Sequence, residues 1–564
     1  MKKTFTTIVG LSTLLSINTF GQNVLPIPAV VEGSSITLTL DEGVTEFYPG
    51  VETNTMGANG ALLGPTLILN QGDDVSIEVV NQLEDTTTIH WHGLHVAPSH
   101  DGGPHSIILP GTSWNPQFTV LDKAGTYWYH PHLHMRTAEH VTRGIAGFIL
   151  VRDDEEAGLG LPLNYGVDEF PIAIQTRAFD ADGQLVVETN LDTAVVVNGV
   201  VDPHIDMPAQ VVRLRLLNGA TQRVMELGFS DDRTFHVIGT DGGLLSAPVA
   251  LDRYRLAPGQ RVDVLVDLGA DEGQDVQLMC YGSELPNAYY GAAQPGMGAG
   301  QTSSLTGYTL NPLNGGDFNV LEIHVVAATA NPITNIPESL ASLTPIAESE
   351  ADQTRNLTFS SASSMMNLNG PFLINGASFD METINYNIPL NHTEIWSLTN
   401  QTPIAHPFHI HDVQFYILDI NGATPPPALQ GLNDVVLVPG MMGNVRFIAQ
   451  FSDHADPNVP YMYHCHMLYH EDGGMMGQFL VTDPNNVSEF EQSIAGHWSF
   501  FPNPTTGELT IRTEFPDKFT VFNLQGQEVI SFLVDGTYST ELHLEAGVYM
   551  LSDSSGRSSR LVVQ

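Results

Sequence analysis

Short stretches in which apolar and polar residues alternate recur along most of the chain, among them SITLTL, DVSIEVV and RVDVLVD. Successive side chains leave a β-strand on opposite sides, so a period of two is typical of strands with one buried face. Gly, Pro, Asn and Asp separate the stretches, and long helical periodicity is scarce. The pattern therefore predicts an all-β protein built from β-sandwiches.

A weak internal repeat indicates more than one sandwich. Three segments, which begin at Gly64, Val196 and Phe372, each consist of an apolar strand, a turn and a longer alternating strand that ends near an asparagine. Self-similarity of this kind indicates repeated structural units. We therefore expect three related sandwiches, at residues 22–155, 165–330 and 350–484.

The N-terminal segment MKKTFTTIVGLSTLLSINTFGQ predicts export. Lys2 and Lys3 precede a short apolar run that ends in small and polar residues, as in a secretory signal, which we place at residues 1–21. A membrane anchor is the alternative, but the run is interrupted by Ser and Thr and is too short for roughly 30 Å of hydrocarbon. No later segment offers about 18 unbroken apolar residues, so we expect no transmembrane segment.

The composition changes after Asp483. A polar linker at residues 485–497 leads into FFPNPTTGELTI and further short strands, which predict a fourth, small β-sandwich at residues 498–564. This region resembles the C-terminal sorting domain of proteins exported by the type IX secretion system of Bacteroidetes, with matching Pro502-Asn503-Pro504, Gly507, Gly526 and Gly547-Val548-Tyr549. The resemblance implies the type IX machinery as a partner and a secreted or cell-surface location. An appended binding module of the same fold is the alternative.

Acidic residues outnumber basic ones by 63 to 20, for a formal charge of −43. Phosphate binding needs a basic surface, so nucleic acid is not expected as a partner. We interpret the charge as a well-solvated surface, with attraction of cationic substrates or metal ions as the alternative. We expect the exported chain to be a monomer.

Histidines recur at a spacing of two residues. By chance, 22 histidines in 564 residues give about 0.9 His-x-His pairs, whereas the chain has five. Side chains two apart in a strand leave the same face, so each pair can present two imidazoles to one point. The pairs lie in the first and third predicted sandwiches, at 90/92, 130/132, 132/134, 409/411 and 464/466.

Cys465 stands between two of these histidines. In an extended segment His464 and His466 point to one side and Cys465 to the other, so one tripeptide can contribute ligands to two metal sites. A disulfide with Cys280 is the alternative, but Cys280 lies in QLMCYG, where a small apolar filler of a buried strand is expected. A thiolate with two imidazoles and a long axial thioether makes a blue-copper site.

The chain resembles the multicopper oxidases in four copper-binding motifs, in the family's order and spacing: HWHG (90–93), GTYWYHPHLH (125–134), HPFHIH (406–411) and HCHMLYHEDGGMM (464–476). The similarity covers about residues 40–484 and includes a middle domain without ligands, through FHVIGTDGGLL (235–245) and LAPGQRVDVLVD (256–267). The bacterial laccase, bilirubin oxidase and cuprous oxidase group looks most similar. The resemblance implies three consecutive cupredoxin-like Greek-key β-sandwiches.

The resemblance also implies four copper ions, one of type 1, one of type 2 and two of type 3. The type 1 ligands are His406, Cys465, His470 and axial Met475, which the family's ten-residue interval from the cysteine selects over Met476. The type 2 ligands are His90 and His409. The type 3 ligands are His92, His130, His132, His411, His464 and His466.

Two carboxylates match the acidic proton donors of related enzymes. They are Asp101, in HDGGPH, and Glu471, directly after His470. A titratable group within hydrogen-bond reach of the reacting atoms is needed to move a proton. For Asp101 the alternative is a turn residue before Gly102 and Gly103.

The expected activity is laccase-like, with a small phenolic or aromatic reductant oxidised at the type 1 copper and O₂ reduced to water at the other three. A cuprous oxidase or bilirubin oxidase-like activity is the alternative. Thr402, Pro403 and Ile404 stand where cuprous oxidases have acidic residues, which disfavours dedicated Cu(I) oxidation. A copper-binding or electron-carrier protein is the non-enzymatic alternative. Copper nitrite reductase would not need histidines on both sides of Cys465.

Overall fold

The computed structural model describes residues 23–187, 192–293, 311–362, 368–483, 492–494, 498–513, 516–523, 527–554 and 558–564. The predicted secretory signal and most of the predicted linker lie outside these residues. The chain divides into two compact units, one ending at Thr482 and the other beginning at Asp483.

The N-terminal part of the first unit is a sandwich of two sheets, β2-β5-β11-β10-β7 and β4-β3-β6-β8 with β9 paired to β6. In β3, Ile36, Leu38 and Leu40 are buried while Ser35 and Thr37 face solvent, as a period of two requires. The elements are β1 (Asn23–Val24), β2 (Val30–Glu32), β3 (Ser35–Tyr48), β4 (Val51–Ala58), β5 (Thr66–Asn70), β6 (Asp74–Asn81), β7 (His90–His92), α1 (Pro98–Asp101), β8 (Ser113–Trp114), β9 (Gln117–Thr119), β10 (Gly125–His130), α2 (Thr137–Arg143), β11 (Gly147–Arg152) and α3 (Asp154–Ala157).

The middle sandwich has sheets β14-β13-β12-β16-β21-β18-β19 and β1-β15-β23-β22-β17-β20. Arg213 and Arg215 of β16 are buried and both pair with Glu156 of α3, which fastens the first sandwich to the middle one. Cys280 is a buried core residue and forms no disulfide with Cys465, as predicted. The strands are β12 (Glu169–Arg177), β13 (Ala194–Val197), β14 (Val200–Val201), β15 (Pro203–Pro208), β16 (Val211–Asn218), β17 (Met225–Phe229), β18 (Phe235–Thr240), β19 (Gly243–Leu251), β20 (Tyr254–Leu256), β21 (Arg261–Asp267), β22 (Asp275–Tyr281) and β23 (Asp317–Val326).

The third sandwich has sheets β25-β24-β27-β31-β29 and β26-β33-β32-β28-β30. Its core includes Trp396, Phe408 and Phe447, one from each of three strands. The elements are β24 (Gln353–Ser361), β25 (Phe372–Ile374), β26 (Tyr386–Pro389), β27 (Thr393–Asn400), β28 (His406–Ile410), β29 (Tyr416–Ile420), β30 (Val435–Val438), β31 (Gly443–Gln450), β32 (Tyr461–Cys465), α4 (Leu468–Asp472) and β33 (Met476–Thr482). Short 3-10 helices lie at Gly282–Glu284, Glu348–Glu350 and Pro427–Leu429.

The second unit is a small sandwich of sheets β34-β35-β36-β39 and β38-β37-β40-β41. Trp498, Phe519 and Leu551 come from both sheets and share one buried core. The strands are β34 (Gln492–Ile494), β35 (Trp498–Phe501), β36 (Glu508–Thr513), β37 (Asp517–Phe522), β38 (Glu528–Val534), β39 (Thr537–Glu541), β40 (Gly547–Ser552) and β41 (Ser558–Val563).

The predicted all-β class is confirmed, with 49% of residues in strands and 6% in helices. None of the helices among the described residues is long and apolar enough to cross a membrane. The histidine pairs of the sequence lie on or directly after strands of the first and third sandwiches, which positions them for a shared site.

Removing the residues after Asp483 should leave copper content and blue absorption unchanged, because the first unit contains every predicted ligand and its own cores. Copper analysis and a visible spectrum of the recombinant fragment measure this. As a control, a chain that ends at Gly474 lacks Met475 and all of β33 and should lose the blue absorption. Copper loss in the longer fragment would contradict the independence of the two units.

Candidate metal centres

Two pairs of neighbouring strands carry most of the predicted ligands. In the first sandwich β7 pairs with β10, so His90 lies opposite His130. In the third sandwich β28 pairs with β32, so His409 lies opposite His464. The two sets are in contact, since the rings of His90 and His411 stack with 3.9 Å between their centroids. Histidines far apart in the sequence therefore form one cluster.

All eight histidines predicted for this cluster are buried. Six of them form two triplets, in each of which the ligand nitrogens lie within 4.8 Å of one another: His92, His130, His466 and His132, His411, His464. The remaining two, His90 and His409, group with His411. This grouping supports the proposal that the triplets hold the type 3 pair and that His90 and His409 hold the type 2 ion.

In three cluster histidines, the ring nitrogen that points away from the cluster is hydrogen-bonded to a backbone carbonyl. The Nδ1 atoms of His90, His130 and His409 donate to the carbonyls of residues 101, 131 and 434, at 2.9, 2.8 and 2.8 Å. A carbonyl oxygen only accepts, so each Nδ1 carries the proton and each Nε2 keeps a free lone pair. These three Nε2 atoms are buried and have no hydrogen-bond partner in the part of the chain that the structure describes. Such lone pairs are the donors that a metal ion requires.

The nitrogens of His464 show the same need for a cation. Its Nε2 lies 3.1 Å from Nε2 of His132 and 3.4 Å from Nε2 of His411. The Nδ1 atoms of His411 and His464 donate to a carboxylate oxygen of Asp101 and to the carbonyl of Cys465, at 2.7 and 3.1 Å. Two Nε2 acceptors therefore face each other, an arrangement that a bound cation stabilises. Burial and the nearby His90 lower the pKa of His411, so it is in the neutral, metal-binding form.

Cys465 points to the other side of β32. Its Sγ lies 3.4 Å from Nδ1 of His406 and 3.6 Å from Nδ1 of His470, and these two nitrogens are 3.2 Å apart. Burial raises the pKa of the Cys465 thiol, so a thiolate forms here only when a cation balances its charge. One thiolate and two imidazoles fit a copper ion.

The imidazoles beside Cys465 have the opposite ring orientation from those of the cluster. Nε2 of His406 donates to Oγ1 of Thr402 at 2.7 Å, and Nε2 of His470 donates to the carbonyl of Leu368 at 3.2 Å. Their Nδ1 atoms therefore keep the lone pairs that face Cys465. Thr402 is buried and was not among the residues that the sequence predicted, because a threonine before HPFHIH has no distinctive signal.

Met475 is buried in the same apolar core as Cys465, whereas the buried Met476 lies outside that core. Met476 begins β33 and pairs with His464. Neighbouring side chains of an extended segment point to opposite sides. This placement supports Met475 over Met476 as the axial ligand, which stays a prediction.

Both predicted proton donors are buried beside the histidine cluster. Asp101 ends α1, where its carboxylate accepts the proton of His411 Nδ1. Glu471 lies in α4, with one oxygen 3.2 Å from Nδ1 of His464 and the other 3.4 Å from Nδ1 of His132. Both carboxylates are within reach of cluster histidines, which a proton relay requires.

A buried ion pair that the sequence did not predict orients the cluster from the middle sandwich. Arg261, the first residue of β21, bonds both carboxylate oxygens of Asp434 at 2.8 and 2.6 Å. Nη1 of Arg261 also lies 3.3 Å from Nδ1 of His92. The backbone carbonyl of Asp434 accepts a hydrogen bond from Nδ1 of His409. Arg261 lies in the segment LAPGQRVDVLVD that carried the family resemblance, which was its only signal, and Asp434 had none.

The same segment approaches His466 through its backbone. Gly259 has a φ of +83°, and a Cβ atom at this position would lie 2.7 Å from the His466 ring. Glycine tolerates both this left-handed conformation and the close approach. The middle sandwich thus contacts His92 and His466 directly, and His409 through Asp434, although it contributes none of the predicted ligands.

An open cavity of about 330 Å³ is lined by residues that lie near His470 in the chain, and we call it the Tyr469 cavity. Tyr469 and Gly473 of its lining are close to His470 in the chain, and Asn369 follows Leu368, which accepts from His470. Glu139 and Asp472 add carboxylates to the lining. The Tyr469 cavity therefore combines an aromatic ring with acidic groups.

Family models match four parts of the chain. Three models of multicopper oxidase match residues 40–156, 181–289 and 350–485. A model of the secretion system C-terminal sorting domain matches residues 499–564.

Two curated relatives and one solved structure show the range of similar proteins. The multicopper oxidase mco of Staphylococcus haemolyticus is 33% identical over 82% of this chain and 93% of its own length. The cell division protein FtsP of Photorhabdus laumondii is 32% identical over the same shares. A laccase-like multicopper oxidase, CueO, from the lignin-degrading bacterium Ochrobactrum sp. has oxidase activity towards lignin model compounds and lignosulfonate. Its structure matches that of this chain with a TM-score of 0.71 and 34% sequence identity, and the match covers 81% of this chain and 100% of the CueO chain.

Arg261→Lys should lower copper affinity at the histidine cluster by about 10- to 100-fold, because a lysine keeps the charge but cannot hold Asp434 and His92 with a planar fork. Copper per chain after dialysis against a chelator, together with the type 2 electron paramagnetic resonance signal, measures the loss. The matched control is Arg355→Lys, which disrupts a buried Arg355–Glu394 pair between β24 and β27. Equal copper loss in both variants would contradict an orienting role for Arg261.

Met475→Leu should raise the reduction potential of the Cys465 site and keep the blue absorption, because a weakly donating thioether favours the oxidised ion. A redox titration measures the potential. Met476→Leu is the adjacent control and should leave it unchanged. A rise only in Met476→Leu would reverse the axial assignment, and no rise in either variant would remove both methionines from the site.

Proposed function

Because the chain belongs to the multicopper oxidase family, we propose that it oxidises phenolic or related aromatic donors one electron at a time and reduces O₂ to water. The Cys465 site, with His406, His470 and Met475, would hold a type 1 copper. The eight-histidine cluster would hold one type 2 and two type 3 ions. Bound copper supplies the redox chemistry in this proposal, and the protein positions it.

The observation that carries the proposal is the alternation of ligands along β32. His464 and His466 point into the cluster, while Cys465 points to the separate site with His406 and His470. Only one peptide bond separates Cys465 from each neighbouring histidine. A short covalent path therefore joins a site near the Tyr469 cavity to a site buried between two sandwiches.

The protein's own groups hold protons at defined atoms around the cluster. Asp101 accepts from Nδ1 of His411, and the Glu471 carboxylate lies beside Nδ1 of His132 and His464. Water formation from O₂ consumes protons, and an ionised carboxylate beside the cluster can relay them by taking up a proton and passing it on. We propose this relay role for Asp101 and Glu471.

The lining of the Tyr469 cavity favours an aromatic reductant. The Tyr469 ring can stack against a planar donor, and Glu139 and Asp472 can accept its hydroxyl or amino protons. The CueO relative acts on lignin model compounds, which agrees with this class of substrate. Steady-state rates with a phenol, a bilirubin and Cu(I), measured on one preparation, test the choice. A clear preference for Cu(I) would favour the cuprous oxidase alternative.

A copper-binding or electron-carrier protein without turnover is the second candidate, since relatives of similar identity are named cell division proteins and not oxidases. The complete set of twelve ligand residues in this chain favours the oxidase, because a simple carrier needs one site and not two. O₂ consumption that depends on an added reductant distinguishes the two functions.

The C-terminal sorting domain implies export through a secretion system. We propose that the type IX machinery recognises this domain and that the oxidase acts outside the cell or at its surface. The predicted signal at residues 1–21 would first direct the chain across the inner membrane.

Cys465→Ser should abolish both the blue absorption and the oxidation of a phenol, because a hydroxyl oxygen is a harder ligand than a thiolate and breaks the path to the cluster. Copper in the cluster should remain, because His464 and His466 point to the opposite side from Cys465 and the other cluster histidines come from other strands. A visible spectrum, copper analysis and O₂ uptake measure the three effects.

The matched control is Cys280→Ser, the same change in the buried core of the middle sandwich. It should keep the blue absorption and the activity of the folded protein. Retention of the blue absorption in fully copper-loaded Cys465→Ser would refute the proposed type 1 site.

A further inference from the structure

One face of the middle sandwich carries a cluster of histidines and carboxylates that the oxidase does not use. Strand β15 lies beside β23, with His204 opposite Glu322 and Asp206 opposite His324. Strand β22 lies on the other side of β23, with Asp275 opposite His324. Paired residues and residues two apart share a face, so all five side chains project from the same side of the sheet.

The five side chains are in contact. The rings of His204 and His324 stack with 4.9 Å between their centroids. Nε2 of His324 lies 3.3 Å from Glu322 and 3.9 Å from Asp275, and its Nδ1 lies 3.5 Å from Asp206. Two carboxylates therefore face Nε2 of His324 and a third faces its Nδ1, so the cluster has more acidic than basic groups.

A second observation concerns the ring nitrogen Nδ1 of His204. This atom is buried, although the residue as a whole is half-buried, and it has no hydrogen-bond partner within the described part of the chain. A buried ring nitrogen without a partner costs free energy unless it binds a cation or water. The His324 side chain is 36% exposed, so an ion has access to the cluster from solvent.

We propose that His204, Nε2 of His324, Glu322 and Asp275 form an accessory site for a divalent transition-metal ion, separate from the copper centres, with Asp206 on the other side of the His324 ring. Two imidazole nitrogens with carboxylate oxygens are a typical donor set for Zn²⁺ and Cu²⁺. At equal free concentration Cu²⁺ binds such sites more tightly, as the Irving–Williams order requires. The ion connects the adjacent strands β15, β23 and β22.

The test uses the full-length protein with its copper sites already loaded. The protein is dialysed against increasing Zn²⁺, and zinc and copper per chain are measured by elemental analysis. We expect one saturable equivalent of zinc with no loss of copper. Zinc should also raise the thermal unfolding midpoint, because a ligand that binds only the folded state stabilises it.

The variants His204→Ala and His324→Ala, singly and together, should lose the zinc equivalent and the rise in midpoint while they keep copper content and blue absorption. His236→Ala removes a half-buried histidine from β18 in the other sheet and is the matched control, which should bind zinc like the wild type. Glu322→Gln is a milder variant that weakens binding without removing an imidazole.

Three results would refute the proposed accessory site. They are the absence of a saturable zinc equivalent in the wild type, its retention in the double variant, and a fall in copper that matches the zinc bound. The last result would place the zinc in the copper centres. Added Cu²⁺ should give a new electron paramagnetic resonance signal in the wild type that the double variant lacks.

Discussion

Three imidazoles buried between the first and third sandwiches each have one ring nitrogen that the protein satisfies and one that it does not. The Nδ1 atoms of His90, His130 and His409 donate to backbone carbonyls, and their Nε2 atoms have no hydrogen-bond partner among the described residues. Leaving buried polar atoms unpaired is unfavourable, so a metal ion is needed to complete the core at this point. The opposite ring orientation at His406 and His470 follows from the same rule, because Thr402 and Leu368 take their outer nitrogens.

The middle sandwich gives these imidazoles a fixed frame. Arg261 holds Asp434, and through it His409, while Gly259 allows the backbone to lie against His466. A domain without predicted copper ligands therefore determines where ligands from two other domains lie. The buried pairs of Arg213 and Arg215 with Glu156 strengthen the same junction, since separating them would leave charges buried without partners.

The sequence predicted the all-β class and the free cysteines, and its His-x-His spacing predicted which histidines share a strand face, because a period of two fixes the face on which a strand residue lies. His464, Cys465 and His466 are the simplest case. His406, His470 and Met475 were predicted only through the family resemblance. Contacts between domains could not be predicted in the same way. Arg261 and Asp434, for example, lie in different sandwiches and are 173 positions apart. Such partners are determined by three-dimensional packing, which leaves no local pattern in the chain.

The ligand alternation along β32 also limits how this protein can change in evolution. A single residue inserted or deleted between Tyr461 and His466 would move the thiol to the cluster side and an imidazole to the other side. Both sites would then be lost in one genetic event, whereas a substitution affects one site at a time. Length variation among descendants of this gene should therefore be confined to the connecting loops, and the interval from His464 to His470 should be inherited unchanged.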